Sequence, residues 1–98
     1  MDITKIWMSQ KSLRRADQIS AMVQTLNDGG LLPPIILARC DDGEIQVDDG
    51  HHRLTALWLS GKMVLEDHDY ILIEKEQWKP RFGTISDLLQ ILNKNAKG

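Results

Sequence analysis

The sequence predicts a small α+β domain in which about three helices pack on a mixed β-sheet. Apolar residues recur at helical spacing in three segments, and short apolar runs bounded by turn residues lie between them. The 98 residues, 42% of them hydrophobic, suffice for one modest core. We therefore expect residues 1–98 to form a single domain with the element order β-α-β-β-α-β-α.

The first half of the chain predicts a strand, a helix and a hairpin. A short strand is expected over residues 3–8. From Asp17 onwards apolar residues at i, i+3, i+4 and i+7 predict a helix, which Gly29 and Gly30 end because glycine readily adopts a left-handed backbone. A strand is then expected in "PPIILARC", starting after the two prolines and apolar on both faces near residues 35–37. "DDGE" predicts a tight turn before a returning strand in "EIQVD".

The second half predicts a helix, a strand and a final helix. The helix spans about residues 51–60, and Gly61 ends it. "DYILIEKE" predicts a strand whose residues 71–73 are covered on both faces. The last helix lies in "TISDLLQILNK", where Thr84 and Asp87 fit a capping box. The apolar stripe of the first of these helices consists of Leu54, Leu57 and Trp58.

Composition argues against several classes of protein. The net charge of −2 provides no basic field for tight, non-specific nucleic-acid binding. The single cysteine, Cys40, has no partner for an internal disulfide. The sequence shows neither a secretion signal nor an apolar run that approaches the roughly 18 residues of a membrane span. We therefore expect a cytoplasmic protein.

The segment "DDGHHR" carries the most chemistry. Gly50 lies where a strand meets a helix, and helix starts attract anions through their outward N–H groups. Arg53, one turn into the helix, has a guanidinium that can hold two phosphate oxygens. His51 and His52 add donors whose charge changes near neutral pH. The segment therefore predicts a phosphate site.

Two aspartates flank this site and would repel a bare phosphate. Asp48 or Asp49 serves simply as the helix N-cap in one interpretation. In a second, Asp49 holds a Mg²⁺ ion that bridges to nucleotide phosphates. In a third, Asp49 acts as a base on a substrate hydroxyl. Either histidine is equally consistent with a solvated surface residue, and zinc is disfavoured because no second His/Cys pair stands at ligand spacing.

Two boxes together resemble the ParB/sulfiredoxin superfamily. The first is "GGLLPPI", and the second is "DGHHR" with Ala56 further on. They cover about residues 17–62 and resemble the superfamily's helix-ending glycine segment, apolar strand, hairpin and glycine-arginine box. Sulfiredoxins carry a cysteine where this sequence has His51. Partition proteins of the superfamily bind CTP. The "DGHHR" motif is similar to that of another branch, which includes free-serine kinases.

The resemblance implies a nucleotide- or phosphate-binding domain with ATP, ADP or CTP as ligand, with or without Mg²⁺ at Asp49. Phosphoryl transfer or nucleotide hydrolysis is the chemistry it implies, with Asp49, His51 and His52 as catalytic candidates. The predicted ligand-binding residues are Gly29, Gly30, Leu32, Gly50, His51, His52 and Arg53.

A non-catalytic interaction module is the alternative, with a vestigial pocket and a protein or DNA partner. Its contact residues are the basic and aromatic side chains of two segments, which are equally consistent with a solvated charged face. These residues are Lys11, Arg14, Arg15, Trp78, Lys79 and Arg81.

Overall fold

A computed structural model describes residues 1–9, 16–76, 80–85 and 87. It has a small α+β fold with a three-stranded mixed sheet, as the sequence predicts at this coarse level. The third predicted helix lies largely outside the described residues, although Ile85 and Asp87 have helical backbone. The described elements are α1 (Ala16–Asn27), β1 (Ile35–Arg39), β2 (Ile45–Asp49), α2 (His51–Leu59) and β3 (Tyr70–Glu74), with 3₁₀ helices at Ile3–Lys5 and Asp67–Asp69.

The strand predicted over residues 3–8 is wrong for its first part, which is the 3₁₀ helix Ile3–Lys5. The Asp2 carboxylate caps this turn by accepting a hydrogen bond from the Thr4 backbone N–H at 2.9 Å. Ile3 and Ile6 are both buried, and their three-residue spacing suits a turn better than the two-residue alternation of a strand.

The chain does become extended at Trp7, where it joins the free edge of β2. The Trp7 N–H donates to the Ile45 carbonyl, and the Trp7 carbonyl accepts from the Val47 N–H, both at 2.9 Å. Met8 exchanges backbone hydrogen bonds of 2.8 and 3.0 Å with Gly83 and Phe82. Among the described residues of the N-terminal segment, Trp7 therefore joins the sheet, and Met8 joins the segment at Phe82 and Gly83.

The strand order β2-β1-β3 places β1 in the centre of the sheet. β1 and β2 form the predicted antiparallel hairpin, closed by a turn that includes Gly43 at φ +83°. β3 runs parallel to β1 on its other side. In the hairpin Ile36 pairs with Asp49 while Leu37 pairs with Val47, so Asp48 is the extra residue of a β-bulge.

The core lies between the sheet and α2. The stripe predicted on α2 is confirmed, because Leu54 and Leu57 are buried and Trp58 packs against them. The prediction that β3 is covered on both faces is wrong for Ile71, which is 52% exposed. Ile71 pairs with Ile36, on the sheet face opposite to the one that α2 covers.

The helix predicted from Asp17 is confirmed as α1, and it ends where the glycine pair predicts. Gly29 has φ +86°. Its N–H donates to the Leu26 carbonyl, and the Gly30 N–H donates to the Thr25 carbonyl at 2.9 Å. α1 then packs against α2. Within the part of the chain that is described, the helices are too short or too polar to cross a membrane.

Candidate functional site

The candidate site is the junction of β2 and α2. Gly50 is the N-cap of α2, with φ +106° and ψ +31°, and the Leu54 N–H donates to its carbonyl at 2.9 Å. No side chain caps the helix, and its first turn contains no acidic residue. The interpretation of Asp48 or Asp49 as the N-cap is therefore wrong, because Gly50 occupies that position and both aspartates belong to β2.

Gly50 is also packed too closely to carry a side chain. A Cβ atom there would lie 2.8 Å from Cγ2 and 3.0 Å from Cβ of Ile35, the first residue of β1. Ile35 is completely buried. The start of β1 thus lies directly against the start of α2, which brings the end of the first sequence box to the second.

Arg53 holds these two boxes together. Its Nη1 donates to the Pro34 carbonyl at 2.8 Å, and its Nη2 lies 3.3 Å from Oδ2 of Asp49. The Arg53 side chain is 19% exposed, whereas that of Asp49 is 70% exposed. The guanidinium therefore lies at the surface of the junction, with a solvated carboxylate as its counter-ion.

Asp48 faces a different cation. Its Oδ1 accepts a short hydrogen bond from Nζ of Lys75, the residue that follows β3. The bulge gives Asp48 and Asp49 separate partners, so each carboxylate of the acidic flank is matched by a basic side chain. The electrostatic conflict that the sequence predicts at this site is thereby reduced.

The two histidines occupy different environments. His51 is 4% exposed, and its Nε2 accepts a hydrogen bond from the Ser9 backbone N–H at 3.0 Å. His52 is half-buried on the same turn. Ser9 is a site residue that sequence reasoning missed, because a serine 42 positions from His51 carries no local pattern.

The remaining predicted ligand residues lie in the loop after α1. Gly29 and Gly30 close that helix, and Leu32 is partly buried against the core. The atom of this loop that reaches the junction is the Pro34 carbonyl oxygen, through Arg53. The structure therefore joins Gly50 and Arg53 to the end of the first box.

The contact residues of the alternative interaction module lie outside the described residues, except for Arg81. Arg81 donates two hydrogen bonds, of 2.7 and 2.9 Å, to the Asp42 carboxylate, and its guanidinium lies 6.0 Å from the Trp7 ring centroid. These bonds lower the pKa of Asp42 to about 2. Arg81 thus forms an ion pair with Asp42 within the fold.

A second group of residues with metal-ligating side chains does not include Asp49. The ligand atoms of Glu66, His68 and Asp69 lie within 4.8 Å of one another. Nζ of Lys62 is 2.6 Å from Oδ2 of Asp69 and 3.7 Å from Glu66. Since one ammonium group contacts both carboxylates, the arrangement is that of an ion-pair network.

An open depression of about 380 Å³ lies at the carboxyl ends of β1 and β3. Its lining carries both signs of charge, and none of it comes from residues 48–53. The lining residues are Arg39, Cys40, Asp41, Glu74, Lys75 and Glu76.

Comparison of the chain with protein-family models, with curated proteins and with solved structures finds no match. The resemblance to the ParB/sulfiredoxin superfamily therefore stays a prediction that depends on the two sequence boxes.

Proposed function

We propose that this chain is a ParB/sulfiredoxin-like domain that binds a nucleotide or another phosphorylated small molecule at the first turn of α2. The observation that carries the proposal is the helix start, where Gly50 provides a left-handed cap without a side-chain hydrogen bond. The N–H groups of a first turn carry partial positive charge, and a glycine lets a ligand approach the backbone closely. Phosphate is the anion that such helix starts commonly bind.

Arg53 supplies the charged contact in this proposal. An ion pair as exposed as that of Arg53 with Asp49 contributes only about 0–1 kcal/mol. A phosphate group carries more charge and accepts two parallel hydrogen bonds from a guanidinium, which are roughly twice as strong as neutral ones. Binding of phosphate therefore displaces Asp49 from Nη2 while Nη1 retains the Pro34 carbonyl.

Asp49 accordingly acts as an internal counter-ion that holds Arg53 in place, and not as a metal ligand. A Mg²⁺ ion at this carboxylate would compete with a guanidinium whose Nη2 lies 3.3 Å from Oδ2 of Asp49. The neighbouring carboxylate, Asp48, is paired with Lys75. The described residues thus do not fit a resident metal ion here, and no step is assigned to one.

The histidines divide between two roles. Because Nε2 of the buried His51 already accepts from Ser9, His51 positions the start of the helix. His52 lies on the same turn and is only half-buried. If the domain catalyses phosphoryl transfer or nucleotide hydrolysis, Asp49 and His52 are the groups near the helix start that would accept or donate a proton.

Isothermal titration calorimetry with ATP, ADP, CTP and GTP, each with and without Mg²⁺, tests the proposal, with pyrophosphate as a probe of phosphate recognition alone. At least one nucleotide should bind saturably. Arg53→Ala should weaken that binding about tenfold or more, because hydrogen bonds to charged groups contribute about 1.5–3 kcal/mol. Arg39→Ala is the matched control: it removes the same charge from an arginine that is 49% exposed and lies 3.9 Å from Glu74.

Asp49→Asn provides a test of opposite sign. The substitution removes the competing negative charge, so nucleotide affinity should rise by up to about fivefold, the equivalent of an exposed ion pair. Absence of binding for every nucleotide, or equal binding by the wild type and Arg53→Ala with unchanged circular dichroism, would contradict the proposal. Phosphate release measured in the same samples decides between binding alone and turnover.

A further inference from the structure

A cluster of hydrogen bonds joins Ser9 to the first residue of α2. The Ser9 backbone N–H donates to Nε2 of His51 at 3.0 Å. The Ser9 hydroxyl lies 2.9 Å from the same nitrogen and donates to the Val47 carbonyl at 2.7 Å. His51 is 4% exposed, so water has little access to replace these bonds.

This pattern fixes the protonation of Nε2. A backbone N–H can only donate, so Nε2 of His51 must present a lone pair and carry no proton. Protonation would turn Nε2 into a donor. The Ser9 N–H would then lose its acceptor, whereas the Ser9 hydroxyl would accept from Nε2–H and still donate to Val47. One hydrogen bond would be lost and another would be reversed.

Burial and position both favour the neutral imidazole. His51 begins α2, where the helix dipole is positive, and it is shielded from solvent. The two carboxylates of β2 are each paired with a cation, so the negative charge of each carboxylate is offset by its own partner. Among the described residues, the charged or titratable groups on the surrounding elements are Asp2 and Lys5 of the N-terminal segment, Asp17 and Asp28 at the ends of α1, Asp48 and Asp49 of β2, His52 and Arg53 of α2, and Lys75 after β3.

We propose that Ser9 and His51 form a proton-sensitive latch between the N-terminal segment and α2. The neutral imidazole binds the Ser9 N–H against the helix start, and the imidazolium releases that N–H and keeps only the hydrogen bond with the Ser9 hydroxyl. Trp7 and Met8, just before Ser9, pair with β2 and Gly83, so the latch lies where the chain leaves the sheet towards α1. The latch needs no bound anion and works in the ligand-free chain.

Nuclear magnetic resonance of the ¹⁵N-labelled full chain tests the latch across the range from about pH 8 to 5, in which histidine changes charge. The Ser9 amide and the His51 ring nitrogens are followed in the same samples. Both should change with one midpoint, as the Ser9 amide hydrogen bond is lost. In His51→Gln the side-chain amide oxygen is an acceptor at every pH, so the Ser9 amide should stop responding. His52→Gln is the matched control and should keep the wild-type response.

A Ser9 amide that stays unchanged while the His51 ring becomes charged overturns the latch, as does an equal response in His51→Gln. Acid unfolding is also informative. If the wild type unfolds at the His51 midpoint and His51→Gln does not, the latch is supported. If both unfold at the same pH before the His51 ring becomes charged, the latch is overturned.

Discussion

Replacement of Gly50 by alanine should destabilise the fold for two separable reasons. The backbone at φ +106° costs a non-glycine residue about 1–2 kcal/mol. The new Cβ would also overlap Cγ2 of Ile35 at 2.8 Å. Ile35 is completely buried and cannot turn away without disturbing the core, and such overpacking costs about 1–3 kcal/mol. The expected total is about 2–5 kcal/mol, a large part of the roughly 5–15 kcal/mol that stabilises a domain.

Gly61→Ala is the matched control, because Gly61 has a similar φ of +100° and a Cβ atom added there would meet nothing within 4 Å. It should lose only the backbone part, about 1–2 kcal/mol. Urea unfolding followed by the fluorescence of the three tryptophans measures both variants. The difference between them reports the contact between Gly50 and Ile35.

Equal losses of stability in the two variants would refute this reasoning, since they would show that no steric overlap exists at the junction. A loss below about 1 kcal/mol in Gly50→Ala would refute the backbone part as well.

Four further substitutions test other parts of the fold. Hydrogen bonds from its arginine partner lower the pKa of Asp42 to about 2. The pair therefore stabilises the fold above the ordinary carboxyl pKa of about 3.9, and this stabilisation is lost as the pH falls through 2. In thermal scans, Asp42→Asn should have a lower Tm than the wild type at pH 7 and a similar Tm near pH 2. Burial alone would raise the pKa of Asp69, but the hydrogen bond from Lys62 keeps it low. Lys62→Met should cost about 1–3 kcal/mol in urea at pH 7, and less in acid, where the carboxyl is protonated. Leu37→Ala should lower the free energy of unfolding by about 2–5 kcal/mol, because Leu37 is fully buried. Leu31→Ala, at a side chain that is 74% exposed, should change it by less than about 0.5 kcal/mol in the same assay. Equal effects of the two leucines would contradict the assignment of the core.

Local signals in the amino-acid sequence are sufficient to predict several elements of the fold. The apolar stripe of α2 and the glycine pair after α1 act within a few residues, and each predicts its element close to where it lies. The turn at Gly43 follows from the same kind of signal, since a left-handed backbone favours glycine. The position of the candidate site at the junction before α2 was predictable for this reason.

Which groups meet at that junction depends on how distant segments of the chain fold together. Arg53 reaches a carbonyl 19 residues away, Asp48 pairs with a lysine 27 residues away, and His51 bonds a serine 42 residues away. The parallel pairing of β3 with β1 likewise joins residues 35 positions apart, such as Ile35 and Tyr70. No propensity or periodicity specifies such pairs, because they depend on how the elements pack and on the bulge that gives each aspartate its own partner.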